Sequence, residues 1–381
     1  MVDIRENKMT TNETKSLAAV ADVGHMGNIR LMNATMFWGL LFMISVCLAR
    51  ADDQSTSNQF PVDNPNITYI GRWADLTVDN TKVKLAIASG GSFRFKFTGS
   101  NVKLSFLPFT VDSNTPEISY SIDNQAPVRI PLQNELAITG LDATIQHTMI
   151  VWVEGVACTL KVKRWTCKQG VGLRGVELAA TGRLAAYPTG NTKKLLILGD
   201  SIGEGLLMLG GTVVRNFPQH ANARLNFGNQ LGTLLHADVW LHCFGGAAIG
   251  QNFFDIPPAP ANYPFILQGC PHNDPAFDIV IIEDGHNDAG VPADRFIGNY
   301  KILIEKVRQA NPHAVVFLFP PLKPYAKDKF ELVRSVAEET KCVFIDNSTW
   351  KVEAPNINHP SVKGHTQIAE YLKPIIEPYL K

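Results

Sequence analysis

The hydrophobic period of this chain changes once, near residue 190, and that change limits its architecture more than any other feature. From Phe60 to about Arg183 apolar and polar residues alternate. The runs are SFRFKFTG, NVKLSFLPF, ISYSID, TIQHTMIVWVEG and CTLKVKRW, punctuated by Gly, Asn, Asp and Pro. Short period-two runs without a helical repeat predict an all-β antiparallel sandwich. From Lys193 onward the apolar runs are continuous: KLLILGDS, ADVWLHCFG, FDIVIIEDG, AVVFLFP and CVFID. Helical stretches separate most of them (LNFGNQLGTLLH, DRFIGNYKILIEKVRQA, KDKFELVRSVAEET), and HTQIAEYLKPIIEPYL closes the chain. Strands apolar on both faces need cover on both, which predicts an α/β domain around a parallel sheet. The stretch 180–191, ATGRLAAYPTGN, reads as the connection, giving a sandwich over 52–185 and an α/β domain over 186–381.

Residues 1–51 carry a different signal. Met36–Leu48, MFWGLLFMISVCL, is a 13-residue apolar core followed by Ala49-Arg50-Ala51, as in a secretory signal peptide cleaved near Ala51. It falls short of the roughly 20 residues a membrane span needs. An uncleaved signal anchor is the alternative. Both Met1 and Met26 are possible starts, and Met26 gives the more ordinary basic leader. Lys and Arg number 35, as do Asp and Glu, so no surplus charge argues for nucleic acid or an anionic surface as partner. In an oxidising compartment Cys158 and Cys167, flanking TLKVKRWT, can close a hairpin by disulfide. No CxxC or Cys/His cluster points to a metal, and no cofactor motif occurs. Asn66 and Asn347 head glycosylation sequons.

In parallel sheets functional residues gather outside the C-terminal ends of the strands. That rule selects Ser201 in ILGDSIGEG, Phe244-Gly245-Gly246 after ADVWLHC, and Gly285-His286-Asn287-Asp288 after FDIVIIED. Asn358-His359-Pro360, with Gly364-His365 behind it, precedes the last helix. Each block alone is ordinary, since a serine at a strand–helix turn is commonly a helix cap and a lone histidine is commonly structural. Together, a serine at a helix N-terminus, a histidine base, an amide and a bare glycine N–H are the parts of nucleophilic acyl transfer.

These four blocks, in this order and spacing, resemble the SGNH (GDSL) hydrolase superfamily over roughly 193–381. The resemblance implies a three-layer, flavodoxin-like α/β fold. It implies Ser201 as nucleophile and His359 as general base, with the oxyanion hole formed by Ser201 N–H, Gly246 N–H and the Asn287 side chain. One position departs: where the family has Asp three residues before the histidine, this chain has Asn356. A neutral amide fixes an imidazole tautomer without stabilising the imidazolium, so the reading is a Ser–His dyad oriented by Asn356 or a backbone carbonyl. Asp346 reads as structural. The opening YIGRWADL and GGSFRFKFTGSNVKLSF are similar to the jelly-roll domain of carbohydrate esterase family 2. That family deacetylates plant-type polysaccharides and includes members lacking the catalytic Asp. The implied partner is an acetylated carbohydrate, met outside the cell, with no cofactor and no metal.

Two other readings share the superfamily: a lipid or short-chain esterase, left open by FFDIPPAPANYPFIL, and a glycan-binding protein with a degenerate esterase domain. Gly199-Asp200-Ser201-Ile202-Gly203 also fits G-x-S-x-G, but an α/β-hydrolase would place βα units and an HGGG loop before the serine. A trypsin-like order puts histidine and aspartate first.

Overall fold

Period two does in space what it does in sequence. In Ser92–Thr98 the rings of Phe93, Phe95 and Phe97 are fully buried while Arg94 and Lys96 between them reach outward. The computed structural model describes residues 57–108, 114–157, 163–166, 170–188, 193–211, 218–322, 327–355 and 359–380. The signal-peptide core, Cys158, Cys167 and Asn356 lie outside them. Among the described residues, twelve strands precede the parallel sheet. They are β1 (Asn58–Phe60), β2 (Thr68–Ile70), β3 (Ala74–Val78), β4 (Thr81–Ala86), β5 (Ser92–Thr98) and β6 (Asn101–Pro108). After them come β7 (Glu117–Ile122), β8 (Val128–Pro131), β9 (Glu135–Thr139), β10 (Gln146–Gly155), β11 (Val171–Leu178) and β12 (Arg183–Ala185). They pair antiparallel in two sheets, β3-β4-β11-β6-β9 with β1 on β11, and β12-β5-β10-β7-β8 with β2 on β5. Their facing side chains, among them Phe95, Leu104, Met149 and Val176, form one core.

Two details differ from the periodic reading. The connecting stretch 180–191 contains strand β12, whose three residues pair with Lys96–Thr98 of β5. Three residues are too few to show a period. The end of TLKVKRWT is not strand: Arg164–Thr166 form a turn that buries Arg164 and Trp165.

The second half runs β13 (Lys193–Gly199), α1 (Ser201–Glu204), α2 (Phe227–Leu235), β14 (Ala237–Cys243), α3 (Ala259–Asn262), then a small β15–β16 hairpin (Phe265–Leu267 and Cys270–Pro271). It continues β17 (Ile279–Glu283), α4 (Ala293–Ala310), β18 (Val315–Leu318), α5 (Lys327–Thr340), β19 (Val343–Phe344) and α6 (Val362–Ile376). The sheet is parallel in the order β14-β13-β17-β18-β19, the flavodoxin-like 2-1-3-4-5 winding. Alternate strand residues supply two cores. Leu196, Leu198, Val280 and Ile282 meet α4 and α5, whereas Leu195, Ile197, Ile279 and Ile281 meet α2 and α6. This explains why the strands read as unbroken apolar runs.

Polar clamps join the sandwich to this domain. Arg72, just after β2, gives Nε and Nη2 to Asp274 (3.0 and 2.8 Å) and Nη1 to Tyr263 O and Phe265 O (2.7 and 3.1 Å). The two charged side chains are 3% and 6% exposed. Arg94 pairs with Asp238, and Arg129 caps Pro218 O and Ala221 O. Breaking a buried pair strands its partner charge, so Arg72→Met is expected to cost about 3–5 kcal/mol. Guanidinium unfolding reads this, and an unchanged midpoint would refute it.

Candidate active site

Strand β13 ends at Gly199, and Asp200 caps the helix that follows by accepting from Ile202 N at 2.8 Å. The cap is therefore Asp200. Ser201, the first helical residue, keeps its hydroxyl for another partner: His359 Nε2 lies 2.9 Å from Ser201 Oγ. His359 arrives on the loop before α6. That loop is fixed by Ser361, whose Oγ accepts from Gly364 N (3.1 Å) and donates to Glu353 (2.5 Å). The turn after Ser201 sits on β14 and β17 so closely that a Cβ at Gly203 would lie 2.7 Å from Cys243 Sγ. Gly203 N in turn donates to Glu283 Oε2 at 3.1 Å.

The loop after β14 supplies two glycines with different duties. Gly245 N donates to Glu204 Oε2 at 2.8 Å. Gly246, at φ +82°, has no acceptor for its N–H among the described residues; a Cβ there would fall 1.8 Å from the Phe253 ring. Asn287, after β17, gives its amide hydrogens to Asp200 Oδ2 (3.1 Å) and Ala247 O (2.9 Å). An incoming oxyanion must share or replace the first of these. Asp288 holds the glycine loop from below, accepting from Ile249 N and Gly250 N (2.9 and 2.6 Å).

Beneath the serine lies a buried cluster. His286 Nδ1 stands 3.3 Å from both Asp200 Oδ2 and Glu283 Oε1, while Leu322 N donates to its Nε2 at 3.0 Å. Burial, with the Asp200 charge behind it, pushes Glu283 up to about 7. Asp200, Glu283 and His286 would offer three ligand atoms to a cation. The Leu322 bond, however, occupies the Nε2 lone pair and leaves the ring proton on Nδ1. That nitrogen faces the carboxylates across 3.3 Å with its proton, not a lone pair, toward them, an arrangement that does not suit a metal.

Other anticipated residues sit away from the chemistry. Asp346 is exposed and pairs with Arg334. Asn347 is 3% exposed with its Nδ2 on Pro320 O, so a glycan there is incompatible with the folded chain. Cys243, Cys270 and Cys342 are free thiols. A cleft of about 690 Å³ lined by Arg94, Trp152, Arg224, His236 and Glu370 lies at the N-terminal ends of the parallel strands, opposite Ser201. Sequence reasoning passed over Glu204 and Arg164. Only an acid in the first turn of a helix hinted at Glu204, and nothing local pairs it with an arginine forty residues earlier.

Residues 197–367 match the GDSL-like Lipase/Acylhydrolase family. The chain is 24% identical over 359 residues to an acetylxylan esterase / glucomannan deacetylase of Cellvibrio japonicus (strain Ueda107), covering 87% of this chain and 94% of that one. A family two carbohydrate esterase structure from Cellvibrio japonicus superposes with a TM-score of 0.69 at 20% identity, over 85% of this chain and 99% of that one. Another from Clostridium thermocellum, in complex with cellohexaose, gives 0.66 at 20% identity, over 82% and 99%. No described helix is long and apolar enough to cross a membrane. The four blocks around Ser201, Gly246, Asn287 and His359 thus lie within the stretch that matches the GDSL-like Lipase/Acylhydrolase family, and that stretch and the β-sandwich together share the fold of the family two carbohydrate esterases.

Proposed function

We propose that this chain is a secreted serine esterase that removes acetyl groups from acetylated polysaccharides or oligosaccharides, through a Ser201–His359 dyad. The observation that carries the reading is the 2.9 Å contact of His359 Nε2 with Ser201 Oγ at a helix N-terminus. In this reading His359 takes the hydroxyl proton as Oγ attacks the acetyl carbonyl carbon, and the carbonyl π pair moves onto its oxygen. Ser201 N–H, Gly246 N–H and the Asn287 amide receive that oxyanion. Collapse expels the sugar oxygen, to which His359 returns the proton, leaving acetyl-Ser201. A water deprotonated by His359 then attacks the acetyl carbon, and as the C–Oγ bond breaks His359 returns the proton to Ser201 Oγ and acetate leaves. The sandwich (52–185) and hydrolase domain (186–381) would act after removal of residues 1–51 as leader. The name of the Cellvibrio relative supports the substrate class, and the neutral charge balance suits a neutral glycan.

A long-chain ester hydrolase is the second reading, favoured by Phe254, 40% exposed beside Phe253 near the glycine loop. Acetate release from acetylated xylan and glucomannan, set against turnover of a long-chain p-nitrophenyl ester, separates the two. Acetyl turnover is expected to dominate, and the reverse preference would overturn the proposal. Glycan binding without any turnover would point to a degenerate esterase.

Gly246→Ala tests the oxyanion assignment. A side chain at φ +82° is strained, and its Cβ would collide with Phe253. The loop must move, and loss of one oxyanion donor costs about 10²–10³ in kcat. A change in KM with kcat intact would remove Gly246 from that role.

A further inference from the structure

Glu204 lies three residues beyond Ser201 on the same short helix, and its carboxylate is wholly buried. An isolated charge there would cost several kcal/mol, so it survives only through its partners. Those partners come from three separate places. Oε1 accepts from Ser89 Oγ at 2.8 Å, in the turn after β4, and from Arg164 Nη1 at 2.5 Å. Oε2 accepts from Arg164 Nη2 at 3.0 Å and from Gly245 N at 2.8 Å. Ser89 is itself held, accepting from Val156 N at 3.1 Å, and Arg164 lies over the Phe244 ring at 5.6 Å. Two sandwich segments therefore converge on one hydrolase carboxylate, and that carboxylate holds the N–H of Gly245, the residue immediately before Gly246.

We propose that Glu204 is a positioning residue through which Ser89 and Arg164 of the sandwich hold the Gly245–Gly246 loop in its oxyanion-binding shape. The proposal rests on the oxyanion reading of Gly246. It goes further by making the sandwich a working part of the esterase rather than a separate glycan-binding module. The fork of Arg164 meets both carboxylate oxygens, a geometry lysine does not reproduce. Without it the carboxylate is free to turn, and the Gly245 N–H loses its fixed acceptor.

The test uses the full mature chain and Arg164→Met, Arg164→Lys, Ser89→Ala and Glu204→Gln, with active sites titrated by a fluorophosphonate that labels Ser201. Counting labelled sites removes the effect of unfolded protein. Per labelled site, Arg164→Met is expected to lower kcat on an acetyl ester ten- to hundred-fold with KM within about three-fold. The rate of phosphonylation, which also builds charge on an oxygen in that pocket, should fall in parallel. Arg164→Lys should recover part of the loss. Should Arg164→Met fail to fold, Ser89→Ala removes one bond to the same carboxylate and should show a smaller loss of the same kind. A lower melting temperature with unchanged kcat and labelling rate per site would overturn the proposal, leaving Glu204 as mere domain glue. If the wild type is not labelled at Ser201, the nucleophile reading fails instead. If Gly246→Ala labels at the wild-type rate, the oxyanion reading fails.

Discussion

Ser201→Ala is expected to lower acetate release by at least about 10⁴-fold while leaving the fold intact. The scale follows from serine hydrolases in which removing the nucleophile costs on the order of 10⁶ in kcat. The expectation of an intact fold comes from the division of labour at this turn. A capping serine would take helix stability with it, by about 1 kcal/mol. Here Asp200 is the cap, bonded to Ile202 N at 2.8 Å, and Ser201 stands one residue inside with its Oγ on His359. Deleting that oxygen removes no backbone partner, so the change in unfolding free energy should stay within about 0.5 kcal/mol. Retention of more than a few per cent of wild-type kcat would show that another group attacks the ester. A large fall in stability would return Ser201 to a structural role.

What the sequence disclosed and what it withheld divide along physical lines. Alternation reports which face of a strand is buried, and it found the Phe93-Phe95-Phe97 stripe and the two-sided strands of the parallel sheet. Periodicity does not report partners. Strand β12 escaped notice because its three residues are strand only through pairing with β5. The buried Asn347 looked like a free sequon because its burial depends on Pro320, far from it in sequence. Gly245 and Gly246 are equivalent as letters. They differ in space because Glu204 engages the first N–H and leaves the second, with its positive φ, without a partner among the described residues. The Arg164 fork on Glu204 has no sequence signature at all. It depends on how the sandwich docks, and topology sets that.

His359, the proposed base, makes the companion prediction. His359→Gln keeps a group able to hydrogen-bond Ser201 Oγ but none able to carry its proton through the reaction. A loss of about 10⁴–10⁶ in kcat is therefore expected. If serine and histidine act as one unit, as the proposed dyad requires, the double variant with Ser201→Ala should be no worse than either single one. The loop should keep its course in the variant, since Ser361 and Glu353 anchor it independently of the imidazole. Asn356 then tests what supports the base. If its amide holds the His359 tautomer, Asn356→Ala should cost about 0.5–1.5 kcal/mol, a few-fold to ten-fold in rate, the value of one net hydrogen bond. If a backbone carbonyl orients the ring, alanine should change little. Asn356→Asp restores the charge that stabilises imidazolium in a full triad, and activity equal to or above wild type is expected. Desolvation of the added carboxylate opposes that gain, so the gain should be small. The measurement is kcat/KM for the three chains on one acetylated substrate. A hundred-fold loss in the aspartate variant would show that this site is built around a neutral partner and is not a triad missing its acid.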